Sequence, residues 1–230
     1  MYLPADSAPE AAPAALHLCY ITNRNQFPGG VQQKELRLLD KIMECAAAGV
    51  DWIQLREKDL STRALEELAH KAVAAIPSGS PTRLLINSRT DVALASGAHG
   101  VHLPAQDLTA SEVRVIMVRA GRTTPVIGVS THSAEEVAQA EAHGADFVVF
   151  GPVFEKDGQL NLRGLEQLRE ACHRPPIDGT PMPVLALGGI NLENAPQCFA
   201  AGAAGIAAIR LFQQNDAALV AAQLRSLFRQ

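Results

Sequence analysis

The 230 residues carry 20 Lys and Arg against 24 Asp and Glu, a formal charge of −4, with 47% hydrophobic and 4% aromatic side chains. Without a basic block or interleaved aromatics there is no footprint for nucleic acid or an anionic membrane surface, so neither is expected as a partner. No apolar run approaches the ~18 residues of a spanning helix and the first residues lack the basic start of a secretory signal, so a cytoplasmic location is expected.

Residues 1–15 are rich in Ala and Pro, cannot bury enough apolar surface to offset their ordering entropy, and are expected to form a disordered tail. From residue 16 onward short apolar runs recur at 16–22, 50–55, 83–87, 100–103, 125–130, 146–151, 183–188 and 204–209. Between them, 35–48, 61–76, 109–120, 133–143, 161–172, 192–201 and 215–228 have amphipathic helical spacing, and TDVALASG after 83–87 makes a helix of about two turns. Runs without polar alternation indicate strands covered on both faces, as in a parallel sheet flanked by helices. AAAGVDWIQL, ASGAHGVHL, EAHGADFVVF and AAGAAGIAAI repeat one device, a glycine closing a helix just before the next strand. Residues 16–230 therefore predict a single (β/α)8 TIM barrel; the alternative, a doubly wound open sheet, does not need units of this regularity. The cysteines Cys19, Cys45, Cys172 and Cys198 lie far apart without a CxxC pair, which gives neither a zinc site nor a dithiol motif but reduced, mostly structural thiols.

In such a barrel the chemistry sits on the loops after the strands. The candidates there are Thr22 and Asn23; Gln54, Arg56, Glu57 and Lys58; Asn87 and Arg89; His102, Gln106 and Asp107; Ser130, Thr131 and His132; Glu155, Lys156 and Asp157; Gly188 and Gly189; and Arg210. Gly188 and Gly189, after the seventh run and before a helix start at Asn191, offer backbone N–H groups to a phosphate, or else form only a tight turn. Arg210 either adds a charged contact or pairs with the last helix. Gln54, Arg56 and Lys58 share one face if the second strand stays extended, and suit an anionic substrate unless Glu57 or Asp59 takes their charges. His132 is a candidate acid-base group, its alternative being a role in capping the helix that Ser133-x-x-Glu136 begins. His102, within a strand, reads as a core histidine.

Taken together, CYIT, IQLREKDL, INSRTDVALASGAHGVHLPAQDL, IGVSTHSAEEVAQAEAHGADFVVFGPVF, PVLALGGI and AGAAGIAAI resemble the thiamine phosphate synthase and TenI family of (β/α)8 barrels. The resemblance implies a phosphorylated thiazole substrate. In the synthase branch it also implies hydroxymethylpyrimidine pyrophosphate and Mg2+, with Gln54, Arg56, Lys58, Asn87, Asp107, Ser130, Gly188 and Gly189 at the matching positions. Three departures stand out. Ser88 replaces a metal-binding aspartate, Glu155-Lys156-Asp157-Gly158 replaces a pyrophosphate-gripping Thr/Lys loop, and Pro104 replaces a glycine. These losses favour the TenI-like branch, a thiazole tautomerase that aromatises carboxythiazole phosphate without a cofactor. There the resemblance makes His132 the proton shuttle and has Gly188, Gly189 and the backbone near Ile209 and Arg210 hold the phosphate. Thiamine phosphate synthase, with Asp107 on Mg2+, is the alternative, and a non-catalytic binder of phosphorylated thiamine precursors the third. A homodimer is a further expectation.

Overall fold

The computed structural model describes residues 15–155, 162–177 and 179–229. The expected tail, except residue 15, and the loop residues Lys156, Asp157 and Gly158 lie outside them.

Eight strands close into a barrel in sequence order: β1 His17–Ile21, β2 Trp52–Leu55, β3 Arg83–Asn87, β4 Gly100–Leu103, β5 Val126–Thr131, β6 Phe147–Phe150, β7 Val184–Leu187 and β8 Gly205–Ala208. Every neighbouring pair is parallel, and β1 closes on β8 with Leu18 opposite Ile206. The helices are α1 Val31–Ala47, α2 Thr62–Ala75, α3 Thr90–Ser96, α4 Ala110–Arg119, α5 Ala134–Ala142, α6 Leu162–His173, α7 Ala195–Ala200, α8 Arg210–Gln213 and α9 Ala217–Phe228. The predicted (β/α)8 fold is the observed one. No helix among the described residues is long and apolar enough to cross a membrane.

Period-two alternation divides the apolar residues of each strand between two cores. Leu18, Tyr20, Ile53, Leu84, Ile86, Val148 and Ile206 pack outward under the helices, whereas Cys19, Ile21, Leu85, Phe147, Val149, Leu185 and Ala207 fill the barrel. Helix ends follow the glycine device: Gly97 closes α3 at φ +76° and Gly144 follows α5 at φ +72°.

Two helices depart from the sequence reading. The helix expected from Asn191 begins only at Ala195, because Asn191 Oδ1 accepts from the N–H groups of Glu193 (3.0 Å) and Asn194 (2.9 Å) and holds 191–194 as a turn. The short α8 after β8 has no periodic signature of its own. All four cysteines are free thiols, and burial pushes Cys45, Cys172 and Cys198 up to about 12, so they are poor nucleophiles at neutral pH.

The loop after β4 ends in a reciprocal cap. Thr109 Oγ1 accepts from Glu112 N–H (3.3 Å), while Glu112 Oε2 accepts from Thr109 N–H (2.8 Å). Thr109→Ala is expected to reduce stability by about 1 kcal/mol in urea melts, the usual size for a lost N-cap.

Candidate active site

Inside the barrel, Phe147 stacks on Trp52 with centroids 3.9 Å apart and planes 4° apart, and His17 covers the other side of Trp52 at 5.0 Å. These rings sit at the strands' N-terminal ends and plug the floor. One layer nearer the C-terminal ends, Gln54 Nε2 donates to Asn87 Oδ1 (2.8 Å), and His102 Nε2 lies 2.9 Å from Ser130 Oγ. Strands β2 to β5 thus supply a polar half of the interior, while Ile21, Val149, Leu187 and Ile209 supply an apolar half. His102 is buried as expected, and burial, then the charge of Arg56, lowers its pKa to about 4. It is neutral at pH 7. Gly128 makes this possible, since a Cβ there would meet Phe147 Cζ at 2.4 Å and His102 Nδ1 at 2.7 Å.

At the end of β2 the alternation expected for Gln54, Arg56 and Lys58 breaks, because the strand stops at Leu55 and Lys58 enters an exposed turn. The two carboxylates that were candidates to neutralise these cations are taken elsewhere. Arg24, just after β1, donates from Nη1 to Glu57 Oε2 (3.0 Å) and to Asp59 Oδ1 (2.7 Å), and from Nη2 to Asp59 Oδ2 (2.7 Å). Glu57, 4% exposed, also accepts from Thr22 Oγ1 (2.7 Å) and Arg24 N–H (3.0 Å). Among the described residues neither Arg56 nor Lys58 has an ion-pair partner. Arg24 is the functional residue that sequence reasoning missed, since an arginine in a loop is ordinarily solvated.

The Arg24 hydrogen bond, followed by weaker contributions that include Asn25, lowers Asp59 from 3.8 to about 2. A depressed carboxylate pKa adds stability above the unfolded value and loses it as pH falls. Asp59→Asn should therefore lower the melting temperature at pH 6, with the difference from wild type shrinking between pH 4 and pH 2.

Across the mouth, Gly188 and Gly189 join Gln26, Ile190, Ile209 and Arg210 around a cavity of about 470 Å³. Both glycines have positive φ, +105° and +60°. A Cβ on Gly189 would lie 2.0 Å from Glu155 O, and one on Gly188 2.7 Å from Pro152 Cα. The glycine pair is a tight turn that lets the β6 loop pack closely, and it also lines a pocket beside the start of α8. Asn194 Nδ2 anchors the turn through Gly189 O (3.0 Å). Arg210 is exposed at the cavity rim.

His132 lies just beyond β5. Its Nδ1 is 2.6 Å from Gly151 O, and because a carbonyl only accepts, Nδ1 carries the proton and Nε2 of the neutral ring keeps its lone pair. The capping role expected as its alternative is present too, but through the main chain: His132 N–H donates to Glu136 Oε2 (2.7 Å) while Ser133 Oγ accepts from Glu136 N–H (3.2 Å), which leaves the His132 ring outside the cap. Arg89 turns away from the mouth, its guanidinium held by Asp91 and Thr62.

The oxygen donors do not make a resident magnesium site. Ser88, at φ +62°, is neutral; its N–H donates to His102 O (2.9 Å) and its Oγ accepts from Asn87 Nδ2 (3.0 Å). Asp107 lines a separate cavity of about 100 Å³ with Ser130 and Thr131, and its Oδ1 accepts from Leu108 N–H (2.8 Å). No group of three metal-binding side chains gathers among the described residues. One exposed carboxylate is a weak set for a cation that otherwise depends on substrate phosphates and water.

A sequence profile described as thiamine monophosphate synthase matches residues 18–212. A Geobacter sulfurreducens protein named putative thiamine-phosphate synthase is 42% identical over 195 residues, covering 84% of each chain. The thiamine-phosphate synthase of Halalkalibacterium halodurans is 39% identical over 177 residues, 75% of this chain and 79% of that one. Among solved structures, thiamine phosphate pyrophosphorylase from Pyrococcus furiosus superposes with a TM-score of 0.72 at 30% identity, covering 94% of this chain and 97% of the other.

Proposed function

The chain belongs to the thiamine monophosphate synthase family, and from that premise we propose that it is a thiamine-phosphate synthase, a transferase joining hydroxymethylpyrimidine pyrophosphate to a thiazole phosphate with release of pyrophosphate. This reverses the preference drawn from the sequence departures. The observation that carries it is positive charge at the end of β2 that no carboxylate among the described residues neutralises: with Glu57 and Asp59 held by Arg24, Arg56 and Lys58 can face an anion. The glycine-lined cavity is a second, separate place for one. Two grips suit two phosphorylated substrates, whereas a carboxythiazole phosphate presents a single phosphate and would offer Arg56 and Lys58 only its ring carboxylate.

In this reading Gly188, Gly189 and the start of α8 hold the thiazole phosphate, and Arg56 and Lys58 hold the pyrophosphate and stabilise its charge as it leaves. Gln54, Asn87 and Ser130 present hydrogen-bonding groups to the heterocycles from the polar half of the interior. The donor set does not fit a resident magnesium ion, and no step is assigned to one.

The test supplies both precursors, with and without magnesium, and follows thiamine phosphate and pyrophosphate. Product should form, and Arg56→Met should lower kcat/KM by about 10²-fold, the scale of a lost charge-stabilising donor. Absence of thiamine phosphate under all conditions refutes the synthase.

A tautomerase remains the second reading, favoured by Ser88 in place of an acid and by the accepting Nε2 of His132. It requires that the protein alone aromatise the carboxythiazole phosphate, seen by ultraviolet absorbance, and that His132→Gln lower that rate by about 10²- to 10⁴-fold.

A further inference from the structure

The end of the barrel opposite the mouth carries a cluster of hydrogen-bond donors that includes two arginines. Arg83 opens β3, His99 precedes β4, and Arg122, Thr123 and Thr124 lie in the connection into β5; together they line a cavity of about 220 Å³. No carboxylate is among its lining residues. Among the described acids at this end, Asp146 is held by Arg114 (2.9 Å) and Ile127 N–H (2.6 Å), and Asp51 accepts from Leu18 N–H (2.8 Å).

The donors are arranged before any ligand arrives. His99 Nδ1 accepts from Leu84 N–H (3.1 Å), which leaves the proton of the neutral ring on Nε2 as a donor. Arg122 is fixed by its Nη2 bonds to the carbonyls of Gly97 (3.0 Å) and Ala98. Among the described residues Arg83 has no ion-pair partner. Burial, then Arg83 and Arg122, lowers the His99 pKa, as expected for cations gathered without a nearby anion. In a chain whose formal charge is −4, two arginines lining one cavity with no carboxylate among its described lining residues are a local concentration of positive charge.

We propose that this cavity is a second anion site, which takes a tetrahedral oxyanion, free phosphate or the phosphate of a small monoester, between Arg83, Arg122 and His99. Guanidinium groups suit such oxygens through paired N–H donors, and the threonine hydroxyls add hydrogen bonds. The site is separated from the mouth by the length of the strands, roughly 13 Å. It is thus independent of the catalytic reading and is suited to an effector rather than a substrate.

Amide spectra of the full-length protein, recorded by heteronuclear NMR during titration with sodium phosphate, test it. Resonances of His99 and of residues 121–124 should shift saturably at millimolar phosphate, and sodium chloride of equal ionic strength should leave them in place. Arg83→Gln removes a side chain on which no described hydrogen bond depends, and should weaken this response at least about tenfold while leaving shifts at Gly188 and Gly189 intact. A parallel titration with methyl phosphate separates the two sources: tighter binding identifies a monoester ligand, and equal or weaker binding identifies free phosphate. No shift at His99 and 121–124, an equal shift with chloride, or an undiminished response in folded Arg83→Gln overturns the site.

Discussion

Arg24→Ala is expected to lower the unfolding free energy by about 3–5 kcal/mol, read from urea or thermal melts at pH 7. The loss comes chiefly from Glu57. That carboxylate is 4% exposed and takes hydrogen bonds from Thr22 and from both the main chain and guanidinium of Arg24. Truncation leaves it buried without its counter-charge, which is far costlier than losing an exposed pair. The Asp59 half of the bridge contributes less, because that side chain is 52% exposed and screened by water. A lysine at position 24 cannot bond both carboxylates in the same forked geometry, so Arg24→Lys should recover only part of the loss. Arg24→Met combined with Glu57→Gln should recover more than Arg24→Met alone, since the amide oxygen still accepts from Thr22 and no charge is stranded. If Arg24→Ala melts within about 1 kcal/mol of wild type, Glu57 is solvated and the network has no structural weight. A functional consequence accompanies the structural one: once released, Glu57 and Asp59 become available to Arg56 and Lys58, and KM for the pyrophosphate substrate should rise in any Arg24 variant that stays folded.

The strands were legible because a parallel strand buried on both faces is a continuous apolar run, and the runs at 83–87 and 100–103 coincide with β3 and β4. The helix spacings were equally clear where a polar face meets solvent. What escaped was local side-chain chemistry. The Asn191–Asn194 turn delays α7, and a charged residue that folds into the interior, Arg24, has the same letter as one that does not. The cross-strand pairs Gln54–Asn87 and His102–Ser130 are separated by 33 and 28 residues, so no sequence window contains both members. For the same reason the sequence left open whether Glu57 and Asp59 would neutralise Arg56 and Lys58; in the fold both carboxylates are held by Arg24. The glycine pair was legible as a tight turn and a candidate phosphate position; its role in admitting the β6 loop depends on Glu155 O and Pro152, which only the folded chain brings near.

Gly189→Ala should lower kcat/KM for the thiazole phosphate by about 10²-fold, mostly through KM, because displacing a positioning element by about 1 Å is enough for such a loss. The new Cβ would stand 2.0 Å from the backbone oxygen of Glu155 and 2.9 Å from Phe154 Cβ, so backbone rather than a flexible side-chain tip must move. Residue 189 also sits at φ +60°, where alanine adds strain of about 1 kcal/mol. The strain by itself can be measured at Gly144, which has φ +72° and nothing within 4 Å of a built Cβ. Gly144→Ala should therefore melt slightly below wild type and retain full activity. Comparing the two variants separates conformational strain, common to both, from the clash that reshapes the glycine-lined cavity at one. Direct titration of the thiazole phosphate completes the argument. Weakened binding by Gly189→Ala with intact affinity for the pyrophosphate substrate places the two anions on opposite walls of the mouth. Unchanged affinity for the thiazole phosphate removes the glycine pair from the binding site and leaves it as a packing turn.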